Sequence, residues 1–236
     1  MFSHRAKIVA ISLALILTGG CSLTPEQARA RIDALDVSFD TTHFNRAVMS
    51  ADVKLIDLFI KAGYDVKTFE KVNSAPLMLA VRVPDPRPVK RLIAAGARAD
   101  ELPGILVLPA TRDDLRTMSM LMDAGAEIDS LDQSSRSALL GAIEYGRLEA
   151  VRFLLDKGAD PNGIRVNMGK RLFNPLIEAI RNHHLDVADL LLEAGADPRR
   201  KFSGIDAVRA AEHAGHDELA QRLREVSRAL ASGTVH

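Results

Sequence analysis

Cysteine occurs once in 236 residues, at Cys21, and tryptophan does not occur at all. A single cysteine excludes an intramolecular disulfide, so even in an oxidising compartment this chain must be held by packing. Aromatics make up only 4% of the residues, while Leu, Ala and Ile abound. That balance suits closely packed helices better than a sheet sandwich. An excess of charge of either sign is also missing, since 31 Lys and Arg stand against 31 Asp and Glu. The strongly basic domain expected of a nucleic-acid-binding protein is therefore absent. Beyond Cys21 no apolar stretch approaches 18 residues, so no transmembrane helix is expected there.

The apolar stretch that does occur, Ile8 to Leu17, follows His4, Arg5 and Lys7 and leads into Thr18-Gly19-Gly20-Cys21. A basic start, an apolar middle and small residues before a cut site read as a secretory signal over residues 1–20. The small residues before Cys21 resemble a bacterial lipobox. The resemblance implies that the Cys21 thiol receives a diacylglycerol and that its freed amine is acylated. Acyl chains at roughly 0.8 kcal/mol per buried methylene anchor a protein firmly to a bilayer surface. The competing reading is an ordinary signal with a chance cysteine, or an uncleaved anchor. In the resembled class an Asp after the Cys favours retention in the inner membrane. Ser22 therefore implies an outer-membrane anchor with the body facing the periplasm. Loss of residues 1–20 leaves 216 residues, with 29 basic against 31 acidic, enough for one or two domains or one elongated array.

Five similar phrases ending in Gly recur: Leu55 to Gly63, Val89 to Gly96, Met118 to Gly125, Val151 to Gly158 and Val187 to Gly195. Successive glycines stand 33, 29, 33 and 37 residues apart. A period in this range marks a stacked array in which no unit buries its apolar face alone. Each phrase predicts a short amphipathic helix with a left-handed Gly just past its end. About 20 residues upstream of each Gly lies the start of a partner helix, at the spacing of a helical hairpin. The fourth unit shows the whole pattern: Ser137-Ala138-Leu139-Leu140-Gly141-Ala142, Gly146-Arg147, Val151 to Leu155, and Gly158-Ala159-Asp160-Pro161-Asn162.

Here the chain resembles the ankyrin repeat, whose phrases are T-P-L-H-x-A-A, G-H, a Leu-rich helix and G-A-D-x-N. The fifth unit matches through Asn174-Pro175-Leu176, His184 and Gly195-Ala196-Asp197. The second keeps Ala75-Pro76-Leu77, and the first and third are degenerate. A sixth, Gly204 to Val226, ends in a polar helix, as a capping unit facing water requires. The resemblance implies an all-α ankyrin-repeat solenoid of about six helix-turn-helix units with finger loops, over residues 42–226. Residues 227–236 are expected to form a disordered tail. Pro109 should bend or shorten the first helix of the third unit, and the 29-residue spacing predicts a distortion at residues 97–112. Residues 21–41 are expected to hold the lipidated N-terminus and a short capping helix. Thr24-Pro25-Glu26-Gln27 starts it, with Thr as cap and Gln three residues on. It runs to about Asp36, with Ile32 and Leu35 on one face.

No catalytic constellation emerges. Gly163 and Gly169-Lys170 miss the phosphate-loop spacing, and Arg171 replaces Ser or Thr, so no nucleotide is expected. His183-His184 with Asp186 lacks the i, i+4 geometry of a zinc site, and the resemblance gives His184 a backbone hydrogen bond in a neighbouring loop. His213 and His216 share suitable spacing for one face, but His216 also falls at the repeat's turn. Neither cofactor nor metal is expected. The distinctive residues lie in the fingers. The loop after Asp160 is about four residues longer than normal and carries Arg165, Lys170 and Arg171. The next finger carries Arg199, Arg200, Lys201 and Phe202. With neighbouring fingers about 10 Å apart, roughly one Debye length, the fields of these six cations add. They form either a docking patch for an acidic protein surface or anionic headgroups, or ordinary loop charges offset by Asp160, Asp197 and Asp206. Phe69, Leu131 and Phe202 are candidate apolar anchors, since such anchors dominate interface energy.

The resemblance implies a non-enzymatic chain that binds a protein partner through its fingers and concave face. Within that class the arrangement is similar to immunity proteins that block toxins, such as membrane-attacking lipases, delivered between bacteria. The alternative is a scaffold or chaperone-like partner of an envelope enzyme, for example one of oxidative-stress defence. Replacing Cys21 with Ser is expected to abolish incorporation of a labelled fatty acid and leave an unprocessed or mislocalised precursor. Normal labelling of that variant would refute lipidation at Cys21.

Overall fold

The computed structural model describes residues 23–67, 71–163 and 173–232. Among them regular structure is helical: thirteen α-helices, a 3-10 turn at Val72–Ser74, and one isolated bridge between Phe202 and Ile205. The chain divides into two compact units, residues 1–97 and 98–236.

The first unit holds α1 (Pro25–Ala34), α2 (Thr41–Met49), α3 (Val53–Lys61), α4 (Pro76–Ala80) and α5 (Arg87–Ala94). The Thr24 hydroxyl accepts the Gln27 amide at 3.2 Å and the Gln27 side chain accepts the Thr24 amide at 3.1 Å, as the capping box predicts. α1 packs on α3 and buries Ala28 and Ile32. Leu35 is a correction: it is 59% exposed, because the helix stops at Ala34 and Asp36 turns the chain at a left-handed φ of 58°. Four of the chain's ten aromatics gather in this unit. Phe39 stacks on Phe59 at 5.1 Å, Phe44 on Tyr64 at 4.0 Å, and the Arg29 guanidinium of α1 lies 3.8 Å over the Phe39 ring. A cation over an aromatic face adds to the apolar seal that α1 forms.

The second unit holds α6 (Val107–Thr111), α7 (Leu115–Asp123), α8 (Ala138–Glu144), α9 (Leu148–Asp156), α10 (Pro175–Arg181), α11 (Leu185–Glu193), α12 (Ala207–His213) and α13 (Asp217–Ser232). The inner helices α6, α8, α10 and α12 pack in succession, and the outer helices α7, α9 and α11 do likewise. The inner helices α8 and α10 are short and apolar nearly all round. α8 buries every residue from Ala138 to Ile143, and α10 buries Pro175, Leu176, Ile177, Ala179 and Ile180. Only a neighbour on each flank permits that. Outer helices are amphipathic, burying Ala150, Val151 and Leu154 in α9 and Val187, Ala188 and Leu191 in α11.

All five repeated glycines sit past a helix end with φ between 89° and 96°. At each, the following amide reaches back five residues, as in Ala159 N–H to Leu154 O at 3.0 Å and Ala196 N–H to Leu191 O at 2.9 Å. This is the Schellman closure that the phrase predicts. Pro109 shortens α6 to five residues instead of bending it, because it is the third helical residue, where the missing amide has no intrahelical partner to lose. Turns over residues 100–106 precede it and bury Leu102, Ile105 and Leu106. The tail expected from residue 227 is a second correction. α13 continues to Ser232, with Ala229 and Leu230 half-buried, so the chain is helical to residue 232.

Leu154→Ala or Leu191→Ala, both wholly buried, is expected to cost about 2–5 kcal/mol in urea unfolding. Gly158→Ala meets nothing within 4 Å and should cost only about 1–2 kcal/mol, from its left-handed backbone alone. Equal losses would contradict the burial pattern.

Candidate partner-binding surface

The finger between α11 and α12 is built by local chemistry. Phe202 and Ile205 exchange both backbone hydrogen bonds, at 2.8 and 3.0 Å, across a two-residue turn at Ser203 and Gly204 with φ of 51° and 82°. Such primed turns match the natural twist of a hairpin. The Asn174 side-chain amide donates to Arg200 O at 3.1 Å, and Asn162 Oδ1 accepts the Asp197 amide at 2.9 Å, so this finger is tied to the one before it. Asp206 then caps α12 by accepting the Arg209 amide at 3.0 Å.

Against this finger and the inner helices lies a cleft of about 600 Å³. Phe202 and Ile205 of the finger and Ile177 of α10 supply apolar walls, while Arg181, His183 and His213 supply polar ones. A cleft of mostly apolar lining with a few convergent polar groups is the usual form of a binding site. Arg181 in its wall also pairs with Glu178 at 3.5 Å.

Of the residues singled out from the sequence, Cys21, Phe69, Arg165, Lys170 and Arg171 lie outside the described residues. The joint six-cation patch is therefore described only in its second half. Phe202 is half-buried in the wall of the cleft. Arg199 is forked onto Asp197, with Nε 2.9 Å from Oδ1 and a terminal nitrogen 3.0 Å from Oδ2. The bond from Arg199 holds the Asp197 carboxyl below the usual carboxylate range, so much of the Arg199 charge is answered locally. Arg200 and Lys201 are exposed. Leu131 is half-buried, as Phe202 is. Its loop is held down by Ser130, whose hydroxyl accepts the Gly104 amide at 3.1 Å, and by Asp132, whose carboxylate receives both the Arg136 amide and its guanidinium.

Three features escaped the sequence. Tyr145, just past α8, is 56% exposed, an aromatic left on the surface. His183 meets His216 with Nδ1 2.9 Å from Nε2, one ring donating and the other accepting. The signal for this pair was the separation of 33 residues, one repeat, between the two histidines. His184 instead lays its ring on Gly146 of the preceding turn, where a Cβ would come within 2.6 Å of it, while its amide donates to Ala179 O at 2.9 Å. Among the described residues no group of three or more His, Cys, Asp or Glu is placed to hold a metal, and no helix is long and apolar enough to cross a membrane.

Comparison with known proteins agrees with this architecture. A family model described as ankyrin repeats (3 copies) matches residues 77–202. The chain is 27% identical over 184 residues to the mouse B-cell lymphoma 3 protein homolog, covering 74% of this chain and 40% of that protein. It is 27% identical over 156 residues to a putative ankyrin repeat-containing protein of Treponema pallidum, covering 66% and 42%. It thus spans about two fifths of the length of these curated relatives. Among solved structures, an ankyrin repeat domain from Acinetobacter baumannii AYE is similar with a TM-score of 0.69 at 26% identity, over 80% of this chain and 98% of that one. The ankyrin repeat domain of Bcl-3 gives 0.61 at 28%, over 77% and 84%.

Asp129 occupies the place that Asn162 holds one unit later, and it too accepts the amide of the next finger, from Asp160. Burial pushes its carboxyl up, the Asp160 amide opposes this, and the Asp160 charge adds to it. A carboxyl raised in the folded state is satisfied while protonated and loses stability as pH rises through its folded value. Asp129→Asn is therefore expected to raise the melting temperature at neutral pH, with the gain shrinking in acid. A variant less stable than the parent at neutral pH would contradict this account.

Proposed function

Because the chain belongs to the ankyrin-repeat family, whose members act through protein–protein interaction and are typically non-enzymatic scaffolds, we propose that it is a lipid-anchored periplasmic protein that grips a partner protein through its fingers and inner-helix cleft. The observation that carries this reading is the cleft itself. Phe202 and Ile205 are set by the Ser203-Gly204 turn beside Arg181, His183 and His213, an apolar seat with polar edges. A surface set in advance spends little ordering free energy on binding. Occlusion of a partner requires no catalytic group.

The specific role we assign is immunity: the chain covers a toxin, such as a membrane-attacking lipase, that sibling cells deliver into the periplasm. Two features favour it. The Cys21 anchor would place the protein where such a toxin acts. α1 begins at Pro25, four positions after Cys21 in the sequence, so a lipid on Cys21 would hold the body close to the bilayer.

A strain lacking the chain is expected to be killed on contact with its toxin-armed siblings, and complementation with Phe202→Asp should restore little protection. Full survival of the deletion strain would contradict the immunity role. A deletion that lowers an envelope enzyme's activity without altering competition would assign the scaffold role instead. Crosslinking in intact cells, followed by pull-down of the lipidated protein, identifies the partner in either case.

A further inference from the structure

The last helical pair carries a second concavity, separate from the Phe202 cleft. A groove of about 510 Å³ runs between the finger at Pro198–Lys201, the far flank of α12 and the body of α13. Five cations line it: Arg199 and Lys201 from the finger, Arg209 from α12, and Arg224 and Arg228 from α13. Only two carboxylates share the lining, and both are committed. Asp206 caps α12 through the Arg209 amide, and Glu212 binds Arg224. Asp197 just outside it is occupied by Arg199. Lys201, Arg209 and Arg228 are exposed and make no ion pair with another described residue. The Ser227 hydroxyl in the groove's wall is shut off from water and has no hydrogen-bond partner.

The stacking rule explains why a groove exists here. Within this unit α8 lies between α6 and α10, and α10 between α8 and α12, so each has a helix on both flanks. α12 has α10 on one side only among the inner helices. Its other flank bears Val208, Arg209 and Glu212, which line the groove, and no further inner helix follows among the described residues. α13 runs sixteen residues, where the outer helices α7, α9 and α11 run nine, and it lines the groove with Arg224, Ser227 and Arg228. The seats between inner helices are apolar; this groove has a cationic rim.

We infer that this groove is a docking surface for an acidic helical segment of a protein, distinct from the surface that the Phe202 cleft provides. The charge of the lining selects a carboxylate-bearing occupant. Two of the three cations without an ion pair, Arg209 and Arg228, are guanidinium groups, whose planar fork matches a carboxylate better than a lysine ammonium does. Residual apolar surface at Val208 and Pro198 gives a helix something to bury on its inner side. Asp206, Glu212 and Val208 stand among these cations, a mixed lining that suits a protein segment better than a plane of anionic headgroups. The inference does not rest on the immunity role or on the concave cleft.

The test uses the full chain and a fluorescent amphipathic Glu/Leu peptide of about 20 residues, long enough to hold a helix, with phosphatidylglycerol vesicles as a second probe. Anisotropy should show binding that weakens with added salt, and the R209E/R228E double variant should lose it by about tenfold or more. Both positions are exposed, so an unchanged melting temperature is expected; R209K/R228K, which keeps the charge and removes the fork, should fall between the two. Phe202→Ala should leave peptide binding intact, which separates this surface from the cleft. Absence of peptide binding, or equal binding by parent and R209E/R228E, would overturn the inference. So would a vesicle affinity exceeding the peptide's and lost in R209E/R228E, since that outcome assigns the groove to a lipid surface.

Discussion

Inner helices that are apolar on nearly every side set the terms for the rest of this chain. A seven-residue helix such as α8, buried from Ala138 to Ile143, gains about 1.5–3 kcal/mol for each large side chain removed from water. Ordering each of its residues costs about 1–2 kcal/mol in backbone entropy. Burial within this one helix does not offset that cost, so α8 depends on the packing it shares with α6 and α10. One hairpin alone would leave Leu139, Leu140 or Ile143 facing water, so in the unit from residue 98 the helices persist by packing in succession. The unit before it uses another device: an aromatic cluster around Phe59, closed over by α1 with Arg29 against Phe39.

Once the interior is committed to packing, polar chemistry is confined to edges. Fingers, turns and the flank of α12 are the places where charges and hydrogen-bonding groups collect. Even there much of it is structural. Asn162 and Asn174 tie finger to finger, Asp206 caps a helix, and Arg199 closes on its own neighbour Asp197. What remains available for a partner is Phe202 and its cleft, exposed Tyr145, and the cations that have not found a carboxylate. A molecule so arranged recognises by shape and charge, and the protein–protein interaction of its family follows from that economy of surface.

The periodic part of this architecture was legible in the sequence because it depends on contacts within one repeat. Gly63, Gly96, Gly125, Gly158 and Gly195 announce a left-handed helix end whatever surrounds them, and Thr24 with Gln27 closes a cap across three residues. Features that depend on neighbouring repeats were harder to read. His183 finds His216 one repeat away, and Arg209 and Arg228 join Lys201 only once finger and terminal pair fold against each other. Leu131 reads as a candidate anchor because a polar turn surrounds it, and only the fold shows Ser130 and Asp132 holding that turn down. The length of α13 was missed for another reason. The repeat motif ends near Val226, while apolar residues at helical spacing, Leu219, Leu223, Val226 and Leu230, continue past it.

Native-state hydrogen exchange, followed residue by residue as denaturant is added, tests the dependence on shared packing most directly. Amides of α8, α9, α10 and α11, around Leu140, Leu154, Ile180 and Leu191, should open together in one transition. The far end of α13 near Ser232 should fray at lower free energy. Independent opening of each helical pair, with its own free energy and no change when its neighbour is lost, would contradict the account.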